Sequence, residues 1–194
     1  MNLPNKLTIS RFILTFVFMV FLFSKGIIMK FLAIGTFLLA SATDYYDGKL
    51  ARDRNEITDF GKFMDPIADK FLTIAAFLAF VEMGLVPAWM VALIISRELI
   101  VTGLRLFAAT KGTVLAAEAA GKHKTVSQIT AIFVVLVFIT LREIAIKGFG
   151  AWPLRLEYWF REIIFLLMVT TVALTLISGV SYLWRNKKLF INAK

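Results

Sequence analysis

Long apolar runs alternate with short polar breaks along the whole chain. Six runs stand out, near residues 7–23, 27–46, 61–81, 86–108, 126–146 and 160–183. Each approaches the roughly 20 residues that carry an α-helix across a bilayer. The pattern predicts an all-α, polytopic membrane protein: a six-transmembrane-helix bundle in one domain, residues 1–194. The first run follows Lys6 and has the outline of a signal sequence. Phe23 is followed by Ser24, Lys25 and Gly26, with no small-residue cleavage pattern, so the run reads as a retained helix. No internal repeat or low-complexity segment interrupts the series.

Composition strengthens this picture. The 194 residues are 59% hydrophobic, against about 45–50% in soluble domains. A soluble fold of this size could not bury so much apolar surface, so lipid is the expected solvent. The net charge of +9 then reads as basic loops facing anionic lipid on the cytoplasmic side. No basic, aromatic-interleaved soluble domain exists to bind nucleic acid. Lys6, Arg11, Lys49, Arg52, Arg54 and Lys62 fall on one side of the predicted bundle, with Arg105, Lys111, Lys122, Lys124 and the C-terminal lysines. Lys25, Lys30, Arg142, Lys147, Arg155 and Arg161 fall on the other. This bias places both termini in the cytoplasm of a multi-pass cell-membrane protein. With no Cys and one His, His123, the chain lacks the usual ligands of thiolate zinc, haem or iron–sulfur sites. A metal would be held by oxygen, which points to magnesium, manganese or calcium.

All six aspartates lie between residues 44 and 69: Asp44, Asp47, Asp53, Asp59, Asp65 and Asp69. Asp44, Asp47 and Ala51 share one helical face, as do Gly61, Asp65 and Asp69. Two such faces, joined by a polar turn over 50–60, would point four carboxylates at one another. Like charges raise each other's pKa, and divalent cations resolve the conflict. Two metals about 3.5–4 Å apart are a known device for phosphoryl displacement. Asp53, Glu56 and Asp59 fit equally well as solvated loop acids. The apolar run behind Asp65 and Asp69 argues against that for them. A proton pathway would need acids spread through the membrane depth, and these gather near one interface. Gly48 and Gly61 leave room for close approach to the backbone. Pro66 either kinks the third helix or marks its start.

A second constellation comprises Arg97, Glu98, Arg105, Lys122, Lys124, Thr125 and Gln128. Charges on a membrane helix must pair or line a polar cavity. Glu98 with Arg97 reads as a structural ion pair. Arg105, Lys122 and Lys124 could converge on a phosphate, or the two lysines could be topogenic charge.

The run Asp44-Tyr-Tyr-Asp47-Gly48-Lys-Leu-Ala51-Arg52, followed by Gly61, Asp65 and Asp69, resembles the signature of the CDP-alcohol phosphotransferase family. All eight defining positions over 26 residues are filled. The segment Arg97-Glu-Leu-Ile-Val-Thr-Gly-Leu-Arg105, the later Gly-Lys-His-Lys-Thr, and the opening Leu3-Pro-Asn5-Lys-Leu-Thr8-Ile-Ser-Arg11 resemble its phosphatidylglycerophosphate synthase branch. The resemblance implies that Asp44, Asp47, Asp65 and Asp69 hold two divalent ions, Mg2+ or Mn2+, and that Asp69 is the general base. It sets Gly48, Ala51, Arg52 and Gly61, with Asn5, Thr8 and Arg11, against the CDP-lipid. Arg105, Lys122, Lys124 and Arg97 are then the acceptor-phosphate set.

By the same resemblance the substrates are CDP-diacylglycerol and sn-glycerol 3-phosphate, the active site faces the cytoplasm, and the assembly is a homodimer. Inositol phosphate, phosphatidylglycerol and serine are the competing acceptors. A small membrane carrier is the non-enzyme alternative, though no inverted repeat supports it. A neutral amide can neither balance nor share a divalent ion. Asp44→Asn, Asp47→Asn and Asp65→Asn should therefore each abolish CMP release, and EDTA should inactivate the wild type. Full activity in any variant at constant magnesium would remove that residue from the site.

Overall fold

The computed structural model describes residues 3–54, 59–110 and 119–187, and side chains within 9–42, 67–68, 70–110 and 123–187. Among the described residues the chain is all-helical. Its elements are α1 (Leu3–Phe23), α2 (Ile27–Arg54), α3 (Asp59–Glu82), α4 (Ala88–Thr110), α5 (Ala119–Phe149) and α6 (Leu154–Arg185). Five of them contain one of the six apolar runs whole, and α4 begins two residues inside the run 86–108.

Several helices outlast their apolar run. α2 continues through the polar residues to Arg54, and α5 begins at Ala119. Apolarity marks the part of a helix that suits lipid, whereas backbone hydrogen bonding carries the helix on into polar sequence. Of the expected turn over 50–60, residues up to Arg54 and from Asp59 onward are helical. α3 starts at Asp59, so Pro66 lies inside the helix and does not begin it.

Turn chemistry sets the sharper ends. Gly84, at φ +66°, closes α3. Its N–H bonds the Val81 carbonyl at 2.9 Å and the Leu85 N–H bonds the Phe80 carbonyl at 2.9 Å, the paired bonds of a Schellman motif. Gly150, at φ +72°, follows α5, and Pro153 leads into α6. The α1–α2 turn is tied to α5, because the Gly26 N–H donates to Glu143 Oε1 at 3.0 Å.

α1 packs on α2 and α3, α5 on α6 and α2, and α4 on α6 and α3. One apolar core draws on all six helices, from Phe18 and Phe37 through Phe77 and Ile94 to Leu136 and Met168. The outer surface is also apolar: Phe16, Leu99, Leu166 and Ile177 are exposed. Glu98, Lys124 and Gln128 are buried. Polar groups inside and apolar groups outside are the arrangement lipid favours. Among the described residues two stretches, His123–Phe149 and Leu154–Arg185, are long and apolar enough to cross a membrane.

Candidate functional site

The site is built around Glu98, on the buried side of α4 and only 4% exposed. Lys70 reaches it from α3, with Nζ 3.1 Å from Oε2. Lys124 reaches it from α5 and donates to Oε1. Gln128, one turn further along α5, donates to the same oxygen at 3.4 Å. Arg97 adds Nη1 at 3.4 Å. Lys70 is further fixed by the Glu98 carbonyl at 3.3 Å and by the Thr102 hydroxyl, to which it donates. One carboxylate thus ties α3, α4 and α5 together. Removing a partner from such a buried pair costs about 3–5 kcal/mol, because a charge is left uncompensated.

Arg97 faces the other way round α4. Its Nη2 donates to Ser178 Oγ on α6 at 2.6 Å. Its stem lies on the α6 backbone at Gly179, where a Cβ would stand 2.8 Å from Arg97 Cγ. Arg105 lies further along α4, over the Tyr182 ring at 5.2 Å from the centroid, a cation–π distance.

Two cavities adjoin this cluster. One, of about 210 Å³, is lined by Lys70, Glu98, Lys124, Thr125 and Gln128, with Thr73, Ile74, Phe77 and Ile94. The other, of about 80 Å³, lies between α1, α2, α3 and α5 and is lined by Arg11, Ser41, Ala68, Thr73 and Thr125 among others. Thr73 and Thr125 border both. Ser41 stands three residues before Asp44, and Ala68 immediately before Asp69. Both cavities therefore lie at the part of the bundle from which the aspartate-bearing stretches of α2 and α3 continue.

The expected site residues divide accordingly. Asp44, Asp47, Gly48, Ala51 and Arg52 fall on α2, and Gly61, Asp65 and Asp69 on α3. Their side chains, with those of Asn5, Thr8 and Lys122, lie outside the described residues. Among the described residues no group of three or more acids and histidines could hold a metal. Of the acceptor-phosphate set, Lys124 lines the larger cavity, while Arg97 and Arg105 are turned toward α6. Arg11 lines the smaller cavity. Motif spacing does not point to Lys70 or Thr102 for this site. The signal for Lys70 was its position inside an apolar helix, where a lysine needs a partner.

Comparison with known proteins gives a consistent result. Residues 1–177 match the family model for CDP-alcohol phosphatidyltransferase. The chain is 45% identical over 148 residues to a CDP-diacylglycerol–glycerol-3-phosphate 3-phosphatidyltransferase of Bacillus subtilis, covering 70% of this chain and 77% of the relative. It is 37% identical over 187 residues to a probable phosphatidylglycerophosphate synthase of Mycobacterium tuberculosis, covering 95% and 81%. A Rickettsia felis protein with the same name as the Bacillus enzyme is 34% identical over 189 residues, covering 97% of each chain.

The α4–α6 seam yields a direct test. Gly179→Ala puts a methyl group where the Arg97 stem lies, and overpacking of this kind costs about 1–3 kcal/mol. Thermal unfolding in detergent should show the loss. Unchanged stability would mean that Arg97 does not rest on that backbone.

Proposed function

The chain belongs to the CDP-alcohol phosphatidyltransferase family, and on that premise we propose that it transfers a phosphatidyl group from CDP-diacylglycerol to sn-glycerol 3-phosphate. CMP is released and phosphatidylglycerophosphate is formed, the reaction named for relatives that align over most of the chain. The structural observation that supports the choice of acceptor is the 210 Å³ cavity, where, among the described residues, Lys70 and Lys124 outnumber the carboxylate of Glu98 between them. A surplus of positive charge at a cavity wall suits an anionic ligand. Serine, a zwitterion, offers such a surplus no net negative charge.

The aspartates fit a divalent cation by donor chemistry: Asp44 and Asp47 are three apart on continuous α2, and Asp65 and Asp69 four apart on continuous α3. These hard oxygen donors suit Mg2+ or Mn2+. When bound, two such ions would neutralise charge on the diphosphate and on departing CMP. In the reaction we propose, the primary hydroxyl of the acceptor attacks the β-phosphorus in line. Asp69 takes the hydroxyl proton as the bond forms. Lys124 and Lys70 hold the acceptor phosphate and so orient the hydroxyl. Arg11, at the smaller cavity, frames the nucleotide side.

In the arrangement we propose, all six helices span the membrane, with both termini and the aspartate end in the cytoplasm. A water-soluble acceptor then meets a membrane-borne donor at the interface, and the lipid tails leave sideways between helices. The family resemblance adds a homodimer.

The test is CMP release by the purified protein with a panel of acceptors. Glycerol 3-phosphate should exceed inositol phosphate, serine and phosphatidylglycerol. A charge-assisted phosphate contact is worth about 1.5–3 kcal/mol, so Lys124→Gln should raise the acceptor KM roughly ten- to a hundredfold. The KM for CDP-diacylglycerol should stay near the wild-type value. A faster alternative acceptor would overturn the assignment. An unchanged acceptor KM would move the phosphate toward Arg105 or Lys122.

A further inference from the structure

We infer that Glu98 is a positioning residue for the acceptor: its buried carboxylate aims the ammonium groups of Lys70 and Lys124 at one phosphate monoester. This rests on the reading that the 210 Å³ cavity takes the acceptor phosphate. Lysine is a compact charge on a flexible four-carbon stem, and two ammonium groups at one cavity repel each other. Left to themselves they would diverge. Glu98 assigns one oxygen to each, Oε2 to Lys70 and Oε1 to Lys124. The Thr102 hydroxyl and the Glu98 carbonyl hold Lys70 from behind. Gln128 steadies the oxygen that Lys124 uses. Arg97 contacts Glu98 and, through Ser178, anchors this arrangement to α6.

The charges in this cluster bear on selectivity. Among the described residues one carboxylate faces three cations, Lys70, Lys124 and Arg97, an excess of two positive charges. A phosphate monoester carries about −1.5 to −2 near neutral pH. A phosphodiester carries one negative charge, and a free alcohol none. Lys70 also follows Asp69 directly in α3. The helix that presents the proposed base therefore presents one of the two phosphate-holding cations. Movement of the acceptor relative to Asp69 is thereby limited by a single rigid element.

Glu98→Gln separates positioning from simple charge. It keeps the shape and removes one negative charge beside an anion site. If charge alone mattered, glycerol 3-phosphate would bind more tightly. Positioning predicts the opposite: an acceptor KM raised about tenfold, the scale of one charge-assisted contact, with the KM for CDP-diacylglycerol unchanged. Glu98→Asp keeps the charge on a shorter arm and should recover part of the loss. Preference for glycerol 3-phosphate over phosphatidylglycerol as acceptor should narrow in parallel. An unchanged or lowered acceptor KM, or equal changes for both substrates, would overturn the inference. Should Glu98→Gln fail to fold, Thr102→Val removes only the hydroxyl anchor of Lys70 and predicts a smaller rise in acceptor KM. No rise there would also overturn it. A wild type that ignores glycerol 3-phosphate would instead overturn the functional reading beneath it.

Discussion

A carboxylate shut between helices must be matched by cations, and Glu98 is matched from three directions. Lys70 comes from α3, Lys124 from α5 and Arg97 from its own helix. An apolar seam can slide by a turn at modest cost. An ion cluster of this kind cannot, because a displaced partner leaves a buried charge behind. The cluster therefore fixes the register of three helices at the level where the cavities open. It also explains why so much charge is tolerated inside a bundle whose exterior is apolar.

Two kinds of packing divide the labour. Toward the far end from the aspartate stretches, α1, α2, α3, α5 and α6 meet through aromatic and aliphatic contacts. Phe18 lies against Phe37, and Phe138 against Trp152 and Phe160. Close to the cavities, polar side chains join them, and Phe12 on α1 still meets Phe71 on α3. The α4–α6 seam is the joint between the two regimes: Gly179 admits the Arg97 stem, and Ser178 receives its guanidinium. Small residues that let helices approach closely are the usual device for this in membranes.

Much of the fold was legible in the sequence, because each helix coincides with an apolar run over most of that run's length. The helix ends were not, since α2 and α5 extend into polar sequence that hydropathy does not register. The Arg97–Glu98 contact was legible as neighbours on one helix. Its extension to Lys70 and Lys124 was not, because those partners lie 28 and 26 residues away and meet only through packing. Arg105 is placed by its axial position as well as by its helical face. Seven residues return it nearly to the side of Glu98, but about 10 Å along the axis at 1.5 Å per residue. At that level its neighbour is Tyr182 and not the cavity. The aspartate signature was the most informative stretch of the sequence, and its side chains lie outside the described residues.

Function follows from what the two adjoining cavities bring together. One is lined in part by Arg11 and Ser41, the other by Lys70 and Lys124, with Thr73 and Thr125 between them. In the reaction proposed, donor and acceptor sit on either side of that border, with α3 supplying both a base and a cation to the acceptor. The most direct test is binding of glycerol 3-phosphate to the purified protein without donor, followed by phosphorus NMR titration. The account predicts saturable binding by the wild type, and its loss when Lys70 and Lys124 are both replaced by Gln in a variant that still binds CDP-diacylglycerol. Equal binding of glycerol 3-phosphate by the two proteins would contradict it.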